Sequence, residues 1–99
     1  MGKLDYSDKL TVDFDDRVLA HLQIVIGIKL RRNEPFYFSW SEGRDLGSGR
    51  CSIWLHPSIP LAFKFFGSRV PAINMAWITA LTETANGPAG LRLVAEPAQ

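Results

Sequence analysis

The sequence lacks the patterns that mark several common classes of protein. Cysteine occurs once, at Cys51, which excludes an internal disulfide and a zinc site built on cysteines. The longest apolar stretch, residues 18–30, is interrupted by polar residues and is too short to cross a bilayer. The first residues contain no apolar signal core. We therefore expect a cytoplasmic protein that does not enter the membrane.

An excess of charge of one sign is also missing. Eleven basic residues face ten acidic ones, and the formal net charge is +1. This balance excludes a protein that coats DNA through an overall positive charge, although it allows a local basic patch. A chain of 99 residues, of which 46% are hydrophobic, has the size of one globular domain. We expect residues 1–99 to form that domain, with residues 96–99 as a frayed tail.

No catalytic or metal-binding motif of high specificity occurs in the sequence. His21 and His56 are the two histidines, and neither has a carboxylate or cysteine at the spacing of metal ligands. Both are therefore predicted to be structural or surface residues. Cys51 has no histidine beside it, which favours a small half-buried thiol over a nucleophile. We expect no bound metal and no cofactor, and this interpretation favours a protein that is not an enzyme.

Aromatic residues, by contrast, are abundant in the middle of the chain. Eight of them lie between Pro35 and Phe66, many at alternate positions. Alternation of this kind is typical of strands with one buried face. It predicts a strand that buries Phe36, Phe38 and Trp40 and leaves its other face open.

The remaining elements follow from hydrophobic periodicity and from turn residues. The pattern predicts a hairpin over 3–14, a helix over 16–32, strands that begin at Pro35, cover 52–56 and contain Leu61, Phe63 and Phe65, a second helix with Pro71 in its first turn, and a last strand with Leu91, Leu93 and Ala95. The order β-β-α-β-β-β-α-β predicts an α+β fold. We expect a two-layer sandwich in which two helices cover one face of a mostly antiparallel sheet.

The first predicted helix is more apolar than a helix at the surface of a small domain. Its apolar stripe is widened by Val18, Ile24, Val25 and Ile28. Either the fold covers this helix on two sides, or the helix packs against a second copy of the chain. The second alternative predicts a homo-oligomer with Ile24 and Ile28 in its interface, and a module of this kind would also bind a partner protein.

The segment 41–50 is rich in glycine and contains Arg44 and Arg50. Glycine lets backbone amides approach an anion, and two arginines could clamp a phosphate. Phosphate-binding loops, however, join a strand to a helix, whereas this loop is predicted to join two strands. A solvated hairpin loop is therefore the alternative interpretation.

Arginines near the ends of the predicted elements supply a further hypothesis. Together with an exposed Tyr37 or Trp54 they would form a basic surface with aromatic platforms. Proteins hold single strands in this way without sequence preference. The alternative is that the arginines solvate a small domain. The arginines concerned are Arg31, Arg32, Arg44, Arg50, Arg69 and Arg92.

Four segments of the chain also carry a resemblance to known proteins. These segments are LTVDFDDRVLAHLQ, PFYFSW, SIWLHPSIPLAFKFFGSR and INMAWITAL. Together they resemble a family of short actinobacterial proteins of similar length, and the resemblance spans nearly the whole chain. It implies no catalytic residues. Many members of that family carry the name ATP-dependent DNA ligase, so the resemblance implies a role in DNA ligation or repair.

The residues themselves argue against ligase activity of this chain. ATP-dependent ligases attach AMP to the lysine of a Lys-x-Asp-Gly motif, and the nearest match, Lys3-Leu4-Asp5-Tyr6, lacks the glycine. The sequence therefore predicts a non-enzymatic module that self-associates and binds a partner protein. A nucleic-acid-binding accessory protein is the alternative, and an enzyme centred on residues 43–50 is the third hypothesis.

Overall fold

The computed structural model of the chain describes residues 1–41 and 50–98. Within these residues the strands and helices follow the predicted order, and the α+β class is confirmed. The elements are β1 (Gly2–Tyr6), β2 (Leu10–Phe14), α1 (Asp16–Arg31), β3 (Phe36–Ser41), β4 (Arg50–Leu55), β5 (Leu61–Lys64), α2 (Met75–Ala85) and β6 (Leu91–Arg92). Neither of these helices is long and apolar enough to cross a membrane.

The strands form two three-stranded sheets, ordered β2-β1-β5 and β4-β3-β6, whereas the sequence predicts one sheet. The division arises because β5 pairs with β1, with Leu4 opposite Phe63, instead of with β4, its neighbour in sequence. Three of the pairings are antiparallel, and β6 runs parallel to β3. The mostly antiparallel character thus matches the prediction.

A tight turn closes the β1–β2 hairpin, which is predicted over residues 3–14. Ser7 and Asp8 both adopt positive φ, at 54° and 59°, and the Lys9 amide donates to the Tyr6 carbonyl over 2.9 Å. Positive φ at both central residues is the geometry that matches the twist of hairpin strands, and Asp tolerates it better than most residues. The register then places Leu4 opposite Val12.

The predicted buried face of β3 is confirmed. Phe36, Phe38 and Trp40 are buried, as are Ile53 and Leu55 across the ladder. They join the helices in one hydrophobic core, whose largest fully buried side chain is Phe38.

The prediction for Phe65 is wrong. This residue lies just beyond the end of β5, and its side chain is 36% exposed. The chain leaves the sheet at this point because the carboxylate of Asp16 binds the next two amides, those of Phe66 and Gly67, at 3.0 and 2.8 Å. These two bonds lower the pKa of Asp16.

Helix α1 ends one residue before the predicted boundary, in a motif that satisfies its free carbonyls. Asn33 adopts a φ of 58°, and its backbone amide donates to the backbone carbonyl of Leu30. The backbone amide of Glu34 donates to the backbone carbonyl of Lys29. This pair of bonds is the Schellman arrangement, in which asparagine replaces the usual glycine. The Lys29 ammonium group binds Asn86 and Glu34, each at 3.0 Å, and so ties this end of α1 to the end of α2.

Most of the apolar surface of α1 is covered by the chain itself. Leu19, Leu22, Val25 and Ile26 are almost completely buried in the common core. The helix packs against α2 and β1. The first of the two alternatives for this helix, coverage within the monomer, is therefore what the structure shows for these residues.

Helix α2 begins at Met75, so the prediction of Pro71 in its first turn is wrong. Asn74 is the N-cap, and its side-chain oxygen accepts from the amides of Ala76 and Trp77 at 3.0 and 3.4 Å. Asparagine is among the strongest N-cap residues, which explains why the helix starts there. The helix ends at Ala85, with Asn86 as the C-cap.

Asn74 also anchors the helices to each other. Its backbone amide donates to Nε2 of the buried His21 over 2.9 Å, while Nδ1 of His21 lies 2.7 Å from the backbone carbonyl oxygen of Arg17. Since that carbonyl can only accept, Nδ1 donates to it, and Nε2 accepts from Asn74. The prediction of a structural histidine is confirmed for His21.

Two residues of the segment 96–99, which is predicted to be a frayed tail, bind other parts of the chain. The carboxylate of Glu96 receives bonds of 2.9 and 2.5 Å from the Arg17 guanidinium and of 2.9 Å from the Asn74 amide group. The carbonyl of Pro97 accepts a further bond from Asn74. These partners lie on other elements and are invisible to a local composition argument. The last strand is also shorter than expected, because it pairs with β3 only through Leu91 and Arg92.

Gly90 permits the close approach of β6 to β3. It adopts a φ of 81°, and a Cβ atom at this position would collide with the backbone of Tyr37. Both the conformation and the space therefore require glycine. Gly27, in the interior of α1, has no neighbour that an added methyl group would meet.

We expect the free energy of unfolding to depend on Glu96 in acid. The bonds from Arg17 and then Asn74 lower the pKa of Glu96 from its ordinary value of 4.5 to about 2. Because the folded pKa is depressed, this stabilisation is present above 4.5 and is lost as the pH falls toward 2. Urea unfolding at pH 6 and pH 3 should show a smaller loss of stability in Glu96→Gln than in the wild type. Equal losses would contradict this assignment.

Gly90→Ala should destabilise the fold by about 1–2 kcal/mol or more, because alanine at positive φ is strained and its Cβ meets β3. The matched control is Gly27→Ala, which should stabilise the protein by about 0.5–1 kcal/mol, since alanine is the better helix residue. Chemical denaturation of both variants measures the two effects. Similar changes in the two variants would argue against a special role for Gly90.

Candidate nucleic-acid interface

The β4-β3-β6 sheet has one face in the core and one face open. Side chains alternate along each strand, so the neighbours of the buried residues point outward. The register aligns these outward residues in three rows across the sheet. We call this surface the outer face; its rows are Tyr37 with Trp54, Ser39 with Ser52 and Arg92, and Ser41 with Arg50.

The first row is an exposed aromatic pair. Tyr37 and Trp54 are 52% and 42% exposed, and their ring centroids lie 4.9 Å apart at an interplanar angle of 64°. The pair is worth about 0.5–1.5 kcal/mol beyond the area it buries, and it holds both rings in place. The edge-to-face arrangement leaves ring surface available to a planar group. The outer face therefore presents an ordered aromatic platform at this end.

The glycine next to Tyr37 explains part of this exposure. The parallel register that sets Leu91 beside Phe38 brings Gly90 beside Tyr37 on the neighbouring strand. Glycine has no side chain with which to cover the tyrosine ring. The same residue that permits the strand pairing thus keeps the platform open.

The other two rows carry the positive charge of the face. Arg92 lies in the middle row and Arg50 in the last one. Among residues 1–41 and 50–98, the ion pairs join Lys3 to Asp13, Arg17 to Glu96, Lys29 to Glu34 and Lys64 to Asp5, and none uses Arg50 or Arg92. The three rows contain no carboxylate. Their guanidinium groups are therefore available to an anion in solution.

Serine hydroxyl groups lie between the two ends. Oγ of Ser39 and Oγ of Ser52 are 2.9 Å apart across the ladder, so one of them donates to the other. The second hydroxyl hydrogen of the pair remains free to donate, and both oxygens keep lone pairs. This row can bind a polar group of either kind.

A cavity of about 680 Å³ opens at the arginine end of the outer face. The residues around it include Ser39, Ser41, Arg50, Ser52 and Arg92 of the face. Trp40 and Cys51, from the core side of the sheet, and Ala89, Leu93 and Val94, before and after β6, also line it. The outer face thus contributes two guanidinium groups and three hydroxyl groups to one concave surface. A phosphate group is the common biological anion that such donors suit.

Hydrogen bonds from outside the sheet fix its geometry. The hydroxyl group of Tyr6, at the end of β1, donates to the carbonyl of Trp54 over 2.6 Å. The amide of Leu93 donates to the carbonyl of Ser39 over 3.3 Å and extends the contact between β6 and β3. The Trp77 indole donates to Val94 over 2.9 Å and holds the segment beyond. These hydrogen bonds therefore hold in place the backbone that carries the aromatic pair and the two arginines.

The structure unites only part of the predicted arginine patch. Arg44 lies outside the described residues, as does most of the glycine-rich loop. Arg31 and Arg32 lie at the C-terminal end of α1. Arg69 is on the connection from β5 to α2, beside a cavity of about 190 Å³ that Ala20 and other residues line. None of these three belongs to the rows of the outer face.

The two residues of the predicted oligomer interface differ in their surroundings. Ile24 is partly buried and packs against the hydrophobic core, whereas Ile28 is 38% exposed. Ile28 is therefore the better candidate for a contact with another molecule.

The two further candidates for chemistry lie in β4 and directly after it. Nδ1 of His56 accepts from the amide of Ser58 over 3.0 Å within the turn that follows β4. Cys51 is half-buried, as predicted, on the core side of β4.

The serine row and the position of Arg92 in it are the parts that sequence reasoning missed. The alternation of β3 and β4 identifies Ser39 and Ser52 as outward residues, but their register could not be read from the sequence. Arg92 was recognised only as one arginine of a patch. The parallel pairing that sets it beside Ser39 connects strands far apart in the chain.

Comparison with known proteins gives the chain a family. The model of a domain of unknown function, DUF7882, matches residues 1–96. No curated protein and no solved structure matches the chain. The match includes every strand and helix described above, and all three rows of the outer face. The chain therefore belongs to the family of the domain of unknown function DUF7882.

Proposed function

We propose that the protein binds single-stranded nucleic acid on the outer face of the β4-β3-β6 sheet. The observation that carries the proposal is the exposed pair of Tyr37 and Trp54 on the same face as Arg50 and Arg92, with no carboxylate in the three rows. Aromatic rings stack on bases, and arginines bind phosphates. The face combines both kinds of contact.

A single strand fits this surface better than a duplex. The bases of a single strand can turn outward and stack on side chains, whereas those of a duplex are already stacked and paired. Sheets with exposed aromatic rings bind RNA in this manner. The three rows present only two arginines, fewer than a duplex-coating surface needs.

The overall charge supports modest affinity. With a net charge of +1, the molecule attracts nucleic acid only through the local field of the outer face. The interaction should therefore rest on stacking and two phosphate contacts. The resemblance of the sequence suggests an accessory role in DNA ligation or repair. In such a role the protein would meet single strands in the cytoplasm.

We expect micromolar binding of a fluorescent oligothymidylate that weakens with salt. Two phosphate contacts give a slope of about −1.4 in a plot of log K against log salt, because each contact on a single strand contributes about −0.7. Replacing Tyr37 and Trp54 together by alanine should weaken binding about fivefold or more, since stacking contributes about 1–3 kcal/mol per base. The slope should stay the same. Fluorescence anisotropy measures both quantities.

The controls separate stacking from general effects. Phe66→Ala removes a side chain that is 83% exposed but lies on the β5–α2 connection, and it should leave binding unchanged. Tyr37→Phe keeps the ring and should also bind normally. No binding by the wild type at low salt would overturn the proposed function. Wild-type affinity in the alanine variant would remove the outer face from it.

Self-association and binding of a partner protein, the function that the sequence predicts first, become the second proposal, and the exposure of Ile28 is the observation that favours it. If α1 forms an interface, Ile28→Glu should convert a dimer to a monomer without loss of stability, because the side chain is already 38% exposed. Ile24→Glu is unsuitable because it would charge a residue that packs against the core. Sedimentation velocity measures the mass. A monomeric wild type would exclude self-association through α1.

A further inference from the structure

We infer that the connection between β5 and α2 carries a docking site for an acidic, apolar segment of another protein. The site is the cavity of about 190 Å³ beside Arg69, which we call the docking groove. Its lining includes Ala20, Phe65, Arg69, Val70 and Pro71. None of these residues belongs to the rows of the outer face, so the inference depends neither on nucleic-acid binding nor on a contact through Ile28.

The connection exposes several large apolar side chains close together in the sequence. Phe65, Phe66 and Val70 are 36%, 83% and 81% exposed, and Met75, the first residue of α2, is 63% exposed. An apolar side chain is stabilised when it leaves water, and groups of exposed ones mark contact surfaces. Aromatic residues, methionine and arginine are also the types enriched at protein interfaces. This segment therefore has the composition of a contact surface.

Side chains of α1 hold the connection in its exposed course. The carboxylate of Asp16 accepts from two backbone amides at its start, over 3.0 and 2.8 Å. The guanidinium group of Arg17 donates to the backbone carbonyl of Ala72 over 2.6 Å, and His21 accepts from the backbone amide of Asn74 over 2.9 Å. The exposure is thus a property of the folded chain. A surface that is already ordered loses less entropy when it binds.

The size of the docking groove favours a side chain over a small molecule. Sites for small molecules have volumes of about 300–1,000 Å³, whereas this groove has about 190 Å³. Ala20, Phe65, Val70 and Pro71 give it apolar walls. The groove therefore suits an apolar side chain that a partner inserts.

The charge of the groove specifies what lies next to that side chain. Among the described residues that line it, Arg69 is the one with a charge. None of the four ion pairs within residues 1–41 and 50–98 uses Arg69. A guanidinium group binds a carboxylate through two parallel hydrogen bonds. The partner segment therefore combines an apolar side chain with an acidic neighbour.

The same charge argues against a second copy of this chain. A two-fold contact places the same surface on both sides. It would bring two Arg69 side chains into one interface, and the described lining supplies no carboxylate to compensate them. The carboxylate of Asp16, which touches the connection, already holds two backbone amides. Charge complementarity thus favours a different, acidic chain.

The test uses a fluorescent decapeptide in which leucine and phenylalanine alternate with aspartate, and fluorescence anisotropy measures its affinity for the full chain. We expect micromolar binding. The same peptide with lysine in place of aspartate should bind at least about tenfold more weakly, because like charges oppose its contact with Arg69. Equal affinities of the two peptides would overturn the inference, as would absence of binding of the acidic peptide at low salt.

Variants locate the contact. Arg69→Glu should reverse the preference between the two peptides, whereas Arg31→Glu, the same change at the far end of α1, should keep it. Replacing Phe65 and Val70 together by alanine should weaken binding at least about tenfold through lost apolar contact. Leu10→Ala, 40% exposed in β2, is the matched control and should bind normally. Thermal unfolding verifies that each variant is folded.

The other occupants of the groove are separate outcomes. Wild-type affinity in both Arg69→Glu and the double alanine variant would place the peptide elsewhere and overturn the inference. A wild-type dimer in sedimentation velocity that Val70→Asp converts to a monomer would assign the groove to a second copy instead. Cosedimentation with phosphatidylserine vesicles that Phe66→Ala abolishes would assign the surface to a bilayer. Either result would overturn the choice of an acidic protein segment.

Discussion

The parallel pairing of β6 with β3 is the contact on which the second half of the fold depends. It places Leu91 beside Phe38 in the core and Arg92 beside Ser39 on the opposite face. Helix α2 lies directly before β6 and packs against it, so this short pairing also fixes the position of the helix. Two residues of strand suffice because Gly90 lets the backbones approach and Leu91 is completely buried. The core and the outer face are thus set by one contact.

A polar network around the buried Asn74 and His21 joins the two helices to the C-terminal segment. The side-chain oxygen of Asn74 caps α2, and its backbone amide donates to His21 on α1. Its side-chain amide group donates to Glu96 in the C-terminal segment. Polar groups inside a core are costly unless each has a partner, and here every bond comes from a different part of the chain. The network therefore specifies the order in which the helices and the last segment pack. It complements the hydrophobic core, which supplies stability but little direction.

Local signals in the sequence predict the helices and strands well, whereas pairings between distant residues cannot be predicted from the sequence. Alternation predicts the buried face of β3, and a hairpin is predicted over residues 3–14, because both depend on neighbouring residues. The pairing of β5 with β1 and the binding of Glu96 by Arg17 connect residues far apart in the chain, so composition could not show them. For the site, Tyr37, Trp54 and Arg50 were predicted, whereas their alignment with Arg92 depends on a register that only the fold supplies.

The hydrogen bond from Tyr6 to Trp54 has a consequence for the behaviour of the protein in a crowded cell. Strand β4 is an edge strand, and edge strands with free carbonyl and amide groups invite edge-to-edge aggregation. The Tyr6 hydroxyl occupies one of these carbonyls and lays the end of β1 against the edge. A foreign strand would have to displace this bond before it could extend the sheet. The Tyr6 hydroxyl group should therefore oppose edge-to-edge aggregation through β4, while the rings of Tyr37 and Trp54 stay exposed.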